Sequence, residues 1–133
     1  MTLKKSVRVA VGFLFLLSLS GATEGAGRWV LLGTRTVTDR ADHDTIVVTA
    51  RRGDFHAIKI TVRNVAVDFK RVVVHFASGG DQEIELRDRI PAGGESRVID
   101  LRGGDRVIRS VDFWYDAHTA TRRRGVVSLW ART

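Results

Sequence analysis

The sequence predicts an all-β fold, an antiparallel β-sandwich of jelly-roll type with about eight strands, preceded by a secretory signal peptide. Three observations support this fold class. Runs of strand length alternate between apolar and polar residues, which is typical of a sheet with one buried face. Reversals that contain Gly, Asn or Asp recur roughly every 8–12 residues. No segment has the apolar spacing of a convincing amphipathic helix.

The stretch from residue 100 to residue 115 organises the predicted fold. It ends one strand, reverses at the glycine pair 103–104 and continues as the longest and most aromatic predicted strand. Val107 shares its parity with Phe113, whereas Ile108 has the opposite parity. If the apolar alternation of the preceding strand continues through the two glycines, Ile108 instead lies on the core side. We therefore expect either a bulge in this strand or cover on both of its faces.

The other strands follow from the same alternation. In a clear example, Ile58, Ile60 and Val62 share one face, and the polar residues between them share the other. Gly33 interrupts the first strand and predicts a bulge or bend there. The remaining predicted strands span 28–38, 45–50, 55–63, 70–77, 82–90, 95–102 and 125–132, and polar loops are predicted at 39–44 and 117–124.

Residues 82–90 and 95–102 predict a β-hairpin with a Gly-containing turn between them. In the register that pairs Ile90 with Glu95, the apolar residues of the two segments lie opposite each other, and so do most of the opposite charges. A one-residue slip would break both patterns. This hairpin is therefore the strand pairing that the sequence specifies most sharply.

Residues 1–22 predict a secretory signal peptide that is cleaved after Ala22, with a later cut near Ala26 or Gly27, or an uncleaved anchor, as alternatives. The segment has a basic start, an 11-residue apolar run and small residues before the cleavage site. The run is too short for a stable transmembrane helix, which needs about 20 residues. We expect a periplasmic or secreted protein that is not transmembrane after cleavage. Its single β-sandwich domain is predicted at residues 28–132.

The composition narrows the classes of partner. The chain has no cysteine, so the domain forms no disulfide bonds and carries no lipid on a cysteine. It has 22 Lys and Arg against 15 Asp and Glu, and three of the cations lie in the signal peptide, which leaves a net charge of +4. This small net charge does not indicate a nucleic-acid-binding protein, and an exported protein meets little nucleic acid. We therefore expect no nucleic-acid partner.

No catalytic constellation stands out in the sequence. The chain has no cysteine nucleophile, and Ser78 does not lie in a G-x-S-x-G elbow. Glu83 and Glu85 share a face, as a glycosidase pair would, but charged cross-strand neighbours explain them as ion pairs. The four histidines lack the spacing of metal ligands. We therefore expect a protein that is not an enzyme, with a hydrolase as a low-ranking alternative.

A run of three arginines, with aromatic residues on the flanking strands, is the best candidate for ligand binding. Guanidinium groups beside aromatic rings can bind anionic sugars, lipid head groups or an acidic protein. The alternative is a loop that charge keeps soluble, beside tryptophans that belong to the core. The candidate binding residues are Arg122, Arg123, Arg124, Trp114, Tyr115 and Trp130.

Asp39, Asp42 and Asp44 place three carboxylates in one predicted loop, where they could bind Ca²⁺. Loops at the end of a sandwich can gather such ligands, but this spacing lacks the D-x-D-x-D-G pattern of the helical calcium loop. The alternative is an acidic turn whose carboxylates cap neighbouring amides. The default expectation is therefore no cofactor, with calcium as the one candidate.

Between Trp29 and Trp130 the chain resembles a family of small exported bacterial domains of unknown function. The resemblance implies a β-sandwich-like domain in the periplasm or outside the cell, and it implies no catalytic residues. Its motifs are architectural in character. They are Trp29-Val30-Leu31-Leu32-Gly33, the stretch 42–47, Arg87-Asp88-Arg89-Ile90, Gly94, Ser96, Ile99-Asp100-Leu101, Gly104, Arg106, Ile108 and Val111-Asp112-Phe113-Trp114-Tyr115.

These observations together predict an exported, disulfide-free, non-catalytic binding or structural module of the bacterial envelope. Its expected partner is an envelope protein or an anionic glycan, bound by the arginine run and its aromatic neighbours. A calcium-dependent carbohydrate-binding module is the alternative.

Overall fold

The computed structural model describes residues 27–38, 42–48, 53–118 and 124–133, with the backbone alone for Asp42 and His118. These ranges contain strands and turns but no helix, and therefore no helix with the length and apolar character needed to cross a membrane. The strands are β1 (Trp29–Val37), β2 (Asp42–Val47), β3 (Ala57–Arg63), β4 (Ala66–Phe76), β5 (Asp81–Ile84), β6 (Asp88–Ile90), β7 (Ile99–Asp100), β8 (Ile108–His118) and β9 (Gly125–Arg132).

The strands form two antiparallel sheets. The first sheet has the order β1-β9-β3-β7, and the second has the order β2-β8-β4-β5, with β6 paired to β4 beside β5. The sheets pack face to face, which confirms the predicted all-β, antiparallel, sandwich-like fold. The described residues form nine strands rather than about eight. The predicted strand at 82–90 is in fact two strands, β5 and β6.

The hydrophobic core lies between the two sheets. The predicted alternation is confirmed in β3, where Ile58, Ile60 and Val62 are each at most 1% exposed. On the facing sheet, β8 contributes Phe113 and Tyr115, whose ring centroids are 5.6 Å apart. Because the chain has no cysteine, its stability depends on this apolar burial rather than on disulfide bonds.

The bulge predicted at Gly33 is confirmed. Relative to β9, β1 has one extra residue at Leu32, immediately before the glycine. A Cβ atom on Gly33 would lie only 2.5 Å from Cγ2 of Ile46 on the facing sheet. This glycine therefore serves both the bulge and the close approach of the two sheets.

A second bulge explains the irregular parity of β8. Relative to β4, β8 has one extra residue, Arg109. The bulge places Ile108 in the core, where it is 2% exposed, while Val107 is 41% exposed. The preceding glycine pair, 103–104, has the positive φ angles that a tight reversal requires, +88° and +80°. Of the two explanations that the sequence allowed, the bulge is the correct one.

The predicted hairpin between residues 82–90 and 95–102 is wrong. β5 and β6 pair with β4 in the second sheet, whereas β7 pairs with β3 in the first. The apolar residues of both segments are nevertheless buried, because they face the same core from opposite sheets. Alternation specifies which side chains are buried, and it does not specify which strands pair. The buried residues are Ile84, Leu86, Ile90, Ile99 and Leu101.

The side chain of Gln82 links the two segments in place of a strand pairing. Its Nε2 donates to the carbonyl of Asp100 at 3.0 Å, and its Oε1 accepts from the amide of Arg102 at 2.8 Å. Gln82 itself is 6% exposed. One buried amide thus joins β5 of the second sheet to the end of β7 in the first.

We expect Gln82→Met to lower the free energy of unfolding by about 1–3 kcal/mol, because the thioether fills the same space but leaves two backbone groups without their partner. Urea unfolding monitored by circular dichroism measures the change. The control is Glu83→Met on the neighbouring residue, whose side chain is 53% exposed. If both variants unfold at the same urea concentration, Gln82 does not link the sheets energetically.

Candidate functional site

The outer face of the second sheet carries a row of three interacting side chains, one from each of three adjacent strands. Trp114 of β8 stacks on His43 of β2, with ring centroids 4.5 Å apart and an angle of 19° between the planes. Arg71 of β4 places its guanidinium 3.9 Å from the centre of the same indole. Since β2 and β4 flank β8, the indole is held between an imidazole and a guanidinium.

A hydrogen-bonded network of imidazoles and carboxylates adjoins this row. His75 Nδ1 lies 2.7 Å from Asp81 Oδ1, and His75 Nε2 lies 2.7 Å from Asp112 Oδ2. Asp112 also accepts a hydrogen bond from the Thr45 hydroxyl, and its Oδ1 lies 3.2 Å from His43 Nε2. The network therefore joins β2, β8, β4 and β5 across the whole outer face.

This environment shifts the pKa values of two groups in opposite directions. Hydrogen bonds to Asp112 and Asp81 raise the pKa of His75 above its usual 6.5, against a smaller lowering by burial. Burial raises the pKa of Asp112, but hydrogen bonds from Thr45, His75 and His43 outweigh it and bring the pKa below the usual 3.8. Both ring nitrogens of His75 lie within hydrogen-bond distance of carboxylates, an arrangement that favours the doubly protonated ring. An imidazolium held in this way has no free nitrogen with which to activate a nucleophile.

The two shifts predict where this network stabilises the protein. The raised pKa of His75 contributes stability that is complete below pH 6.5 and lost as pH rises through its folded-state pKa. The lowered pKa of Asp112 contributes stability that is present above pH 3.8 and lost as pH falls through its folded-state pKa. Both contributions are complete only between pH 3.8 and pH 6.5.

We expect His75→Gln to flatten the alkaline side of the stability profile. The wild type should lose stability as pH rises above 6.5 through the folded-state pKa of His75, and the variant should lose less, because it has no imidazolium to deprotonate. Urea midpoints measured across this range provide the readout. Asp81→Asn, which removes one of the two carboxylates that face His75, should flatten the profile partly. Parallel profiles for all three proteins would contradict the charge state assigned to His75.

Beside the row of Trp114, the second sheet opens into a cleft of about 580 Å³. Four cations line it, and we call it the arginine cleft. Three carboxylates and the backbone of Phe69 complete the lining. The cations are Lys70, Arg71, Arg87 and Arg89, and the carboxylates are Asp68, Glu85 and Asp88.

The arginine cleft arises where both of its strands are irregular. β4 bulges at Lys70, which is an extra residue relative to β8. Opposite this bulge, the neighbouring edge is interrupted between β5 and β6, and Arg87 turns the chain there with φ of +43°. Its amide still donates to the carbonyl of Lys70 at 3.3 Å. A non-glycine residue in the left-handed region is costly, and such strain concentrates at functional sites.

The cations of the arginine cleft are available to a ligand. The guanidinium of Arg87 lies 3.5 Å from Glu85, and that of Arg89 lies 3.8 Å from Asp68. The side chains of these arginines are 76% and 61% exposed. Exposed ion pairs of this kind contribute little to stability, so an incoming anion can displace the local carboxylates at small cost. Lys70 is exposed and makes no ion pair within the described residues.

The described residues of the predicted arginine site are not brought together. Arg122 and Arg123 lie outside the described residues, and Arg124 is exposed where β9 begins. Trp114 lies on the outer face of the second sheet, whereas Trp130 lies on the outer face of the first. The grouping of these residues as one binding site stays a prediction.

Two other predicted site residues meet inside the protein. Tyr115 is 2% exposed in the core, and its hydroxyl donates to Asp44 Oδ2 at 2.8 Å. The other oxygen of Asp44 accepts from Arg35 at 3.1 Å. Asp39 and the side chain of Asp42 lie outside the described residues, among which no group of three metal ligands occurs. The calcium site stays a prediction.

The arginine cleft was not predicted from the sequence. Arg87 and Arg89 belong to a motif that supports the family resemblance, but the predicted hairpin assigns them to its charged face, opposite the apolar residues. The alternation continues through the strand break at residues 85–87, because Leu86 within the break is buried like Ile84 before it and Ile90 after it. A positive φ is also unexpected for Arg. The one available signal was the density of charge at residues 85–89.

The comparisons with known proteins identify a fold and a family. A structure of AlgX from Pseudomonas aeruginosa superposes with a TM-score of 0.52 at 17% sequence identity. The match covers 80% of this chain but only 26% of AlgX, so this chain corresponds to about a quarter of that protein. Such a likeness shows a shared fold. No curated protein matches the sequence. Residues 9–131 match the family described as a domain of unknown function, DUF2541, and the chain therefore belongs to that family.

Proposed function

We propose that this protein is an exported, non-catalytic binding module of the bacterial envelope and that the arginine cleft binds an anionic glycan. The observation that carries the proposal is the coincidence of four cations with two backbone irregularities at one cleft of about 580 Å³. Carboxylate groups on a sugar chain are the ligands that guanidinium groups bind with paired hydrogen bonds.

Arg71 is the best-positioned member of the arginine cleft. Its side chain is fixed from two directions, by the indole of Trp114 at 3.9 Å and by Glu83 at 3.0 Å. A cation that is already ordered loses less side-chain entropy when a ligand arrives. Arg87 and Arg89, which are more exposed, would then complete the contact with the anion.

The export of the protein is supported by the signal features of residues 1–22. Its non-catalytic character is supported by His75, whose two ring nitrogens are both engaged by carboxylates. A periplasmic or secreted location would bring the arginine cleft into contact with acidic polysaccharides of the envelope.

Isothermal titration of the purified protein with an oligogalacturonate tests the proposal, with a dextran oligosaccharide of equal length as the neutral control. We expect saturable binding of the acidic sugar alone, weakening as salt is added because the contacts are exposed ion pairs. Equal binding of the neutral sugar, or no binding of the acidic one, contradicts the proposal. Capture of an acidic envelope protein without any sugar binding would favour the protein partner instead.

A further inference from the structure

The outer face of the first sheet, on the opposite side of the sandwich from Trp114, carries two further tryptophans. Leu31 of β1 and Lys59 of β3 lie on either side of Trp130 of β9, and Trp29 lies opposite Arg132. We call these five residues the tryptophan face. Trp29 and Trp130 occupy diagonal positions on adjacent strands, a spacing at which large side chains can act together.

The side chains of the tryptophan face are held in place. Lys59 Nζ lies 4.5 Å and Arg132 Cζ lies 5.0 Å from the ring centre of Trp29. The indole nitrogen of Trp130 donates to the Thr61 hydroxyl at 3.0 Å. Leu31 is 46% exposed beside it. The indoles are therefore ordered and partly open to solvent.

The chemistry around the tryptophan face is polar and locally basic. Next to Trp130, Thr34 and Ser128 share a hydrogen bond of 3.2 Å between their hydroxyls. The acidic residues of this face, Glu95 and Asp100, lie at its β7 edge, and Glu95 pairs with Lys59 at 3.1 Å. The guanidinium of Arg132 has no carboxylate partner among the described residues; it lies over the ring of Trp29, and its Nε donates to His56 at 3.4 Å.

We propose that the tryptophan face is a second ligand site, which binds an acidic polysaccharide laid across the sheet. The apolar face of a pyranose ring packs against Trp130 and Leu31, while the sugar's carboxylates pair with Arg132 and Lys59. Charge complementarity favours an acidic sugar chiefly through Arg132, whose guanidinium has no carboxylate partner among the described residues, whereas Lys59 is shared with Glu95. This inference goes beyond the arginine cleft, since it depends on different residues in a different sheet.

Tryptophan fluorescence separates the two sites, because the chain has three tryptophans and only Trp114 adjoins the arginine cleft. In Trp114→Phe combined with Arg87→Glu and Arg89→Glu, all emission comes from Trp29 and Trp130, and the arginine cleft is disabled. We expect oligogalacturonate to change this emission saturably. We expect the further change Lys59→Gln with Arg132→Gln to weaken binding at least fivefold, whereas Arg97→Gln leaves it unchanged. Thermal unfolding verifies that each variant is folded.

Each other outcome overturns the inference in a recognisable way. No emission change in the triple variant, while Trp29→Phe with Trp130→Phe still responds through Trp114, rejects the tryptophan face and leaves the arginine cleft intact. An equal response to dextran removes the preference for acidic sugars. A response to phosphatidylglycerol vesicles and not to oligogalacturonate assigns the face to a lipid surface instead. If oligogalacturonate changes the emission neither of the triple variant nor of Trp29→Phe with Trp130→Phe, both sites are rejected.

Discussion

Phe113→Ala is expected to lower the free energy of unfolding by about 3–5 kcal/mol. Phe113 is 1% exposed on β8, and its ring centroid lies 6.0 Å from that of Phe69 and 5.6 Å from that of Tyr115. Truncation would remove the central ring of this group and leave a cavity between rigid strands. Small domains have a total stability of about 5–15 kcal/mol, so the loss should lower Tm by more than about 10 °C.

The control for this prediction is the next residue along the same strand. Trp114→Ala also removes an aromatic ring, but from the outer face, where the indole contacts only side chains that remain partly in water. We expect it to cost less than half as much as Phe113→Ala, measured as the change in urea midpoint at constant m-value. If Trp114→Ala were the more damaging change, the core would not lie on the Phe113 side of β8.

Arg87→Glu combined with Arg89→Glu is expected to weaken oligogalacturonate binding at the arginine cleft by about 10–100-fold, which corresponds to about 1.4–2.7 kcal/mol. The two substitutions replace attraction by repulsion at two cations of the cleft whose side chains are 76% and 61% exposed. They should leave the fold intact, since both arginines are exposed and their ion pairs are weak. Emission from Trp114 in the background Trp29→Phe with Trp130→Phe reports the affinity.

Arg97→Glu combined with Arg102→Glu makes the same change in net charge away from the arginine cleft. Both residues are exposed, and neither lines the cleft. We expect affinity within about twofold of the unmodified background, because exposed charges beyond about 10 Å are screened at 0.1 M salt. An equal loss in both pairs would mean that the ligand responds to overall charge and not to the arginine cleft.

The sequence predicts which side chains are buried more reliably than it predicts which strands pair. Ile58, Ile60 and Val62 are buried as their alternation indicates, and so are Ile84 and Ile99 from the wrongly predicted hairpin. A sandwich satisfies the same apolar alternation whether two segments lie side by side in one sheet or face each other across the core. The choice between these arrangements depends on distant partners such as β4, which local patterns do not specify.

The candidate sites could be predicted only in part for the same reason. His75 and Asp112 meet because β4 pairs with β8 in a register that places Val73 opposite Asp112 and His75 opposite Ser110, so that His75 and Asp112 are diagonal neighbours. In the sequence these two residues are 37 positions apart, with no spacing that indicates a contact. Trp114 was expected beside the arginine run at residues 122–124, which stays a prediction, whereas the contact with Arg71 was not expected.

The most direct test of the account is a map of backbone amide chemical shifts during titration of the wild-type protein with oligogalacturonate. We predict large, saturable changes at residues 68–71 and 85–89, which form the arginine cleft, and weaker binding in the same map at higher salt. If the amide chemical shifts of the arginine cleft do not change while shifts elsewhere on the protein show that the sugar binds, the central claim is contradicted.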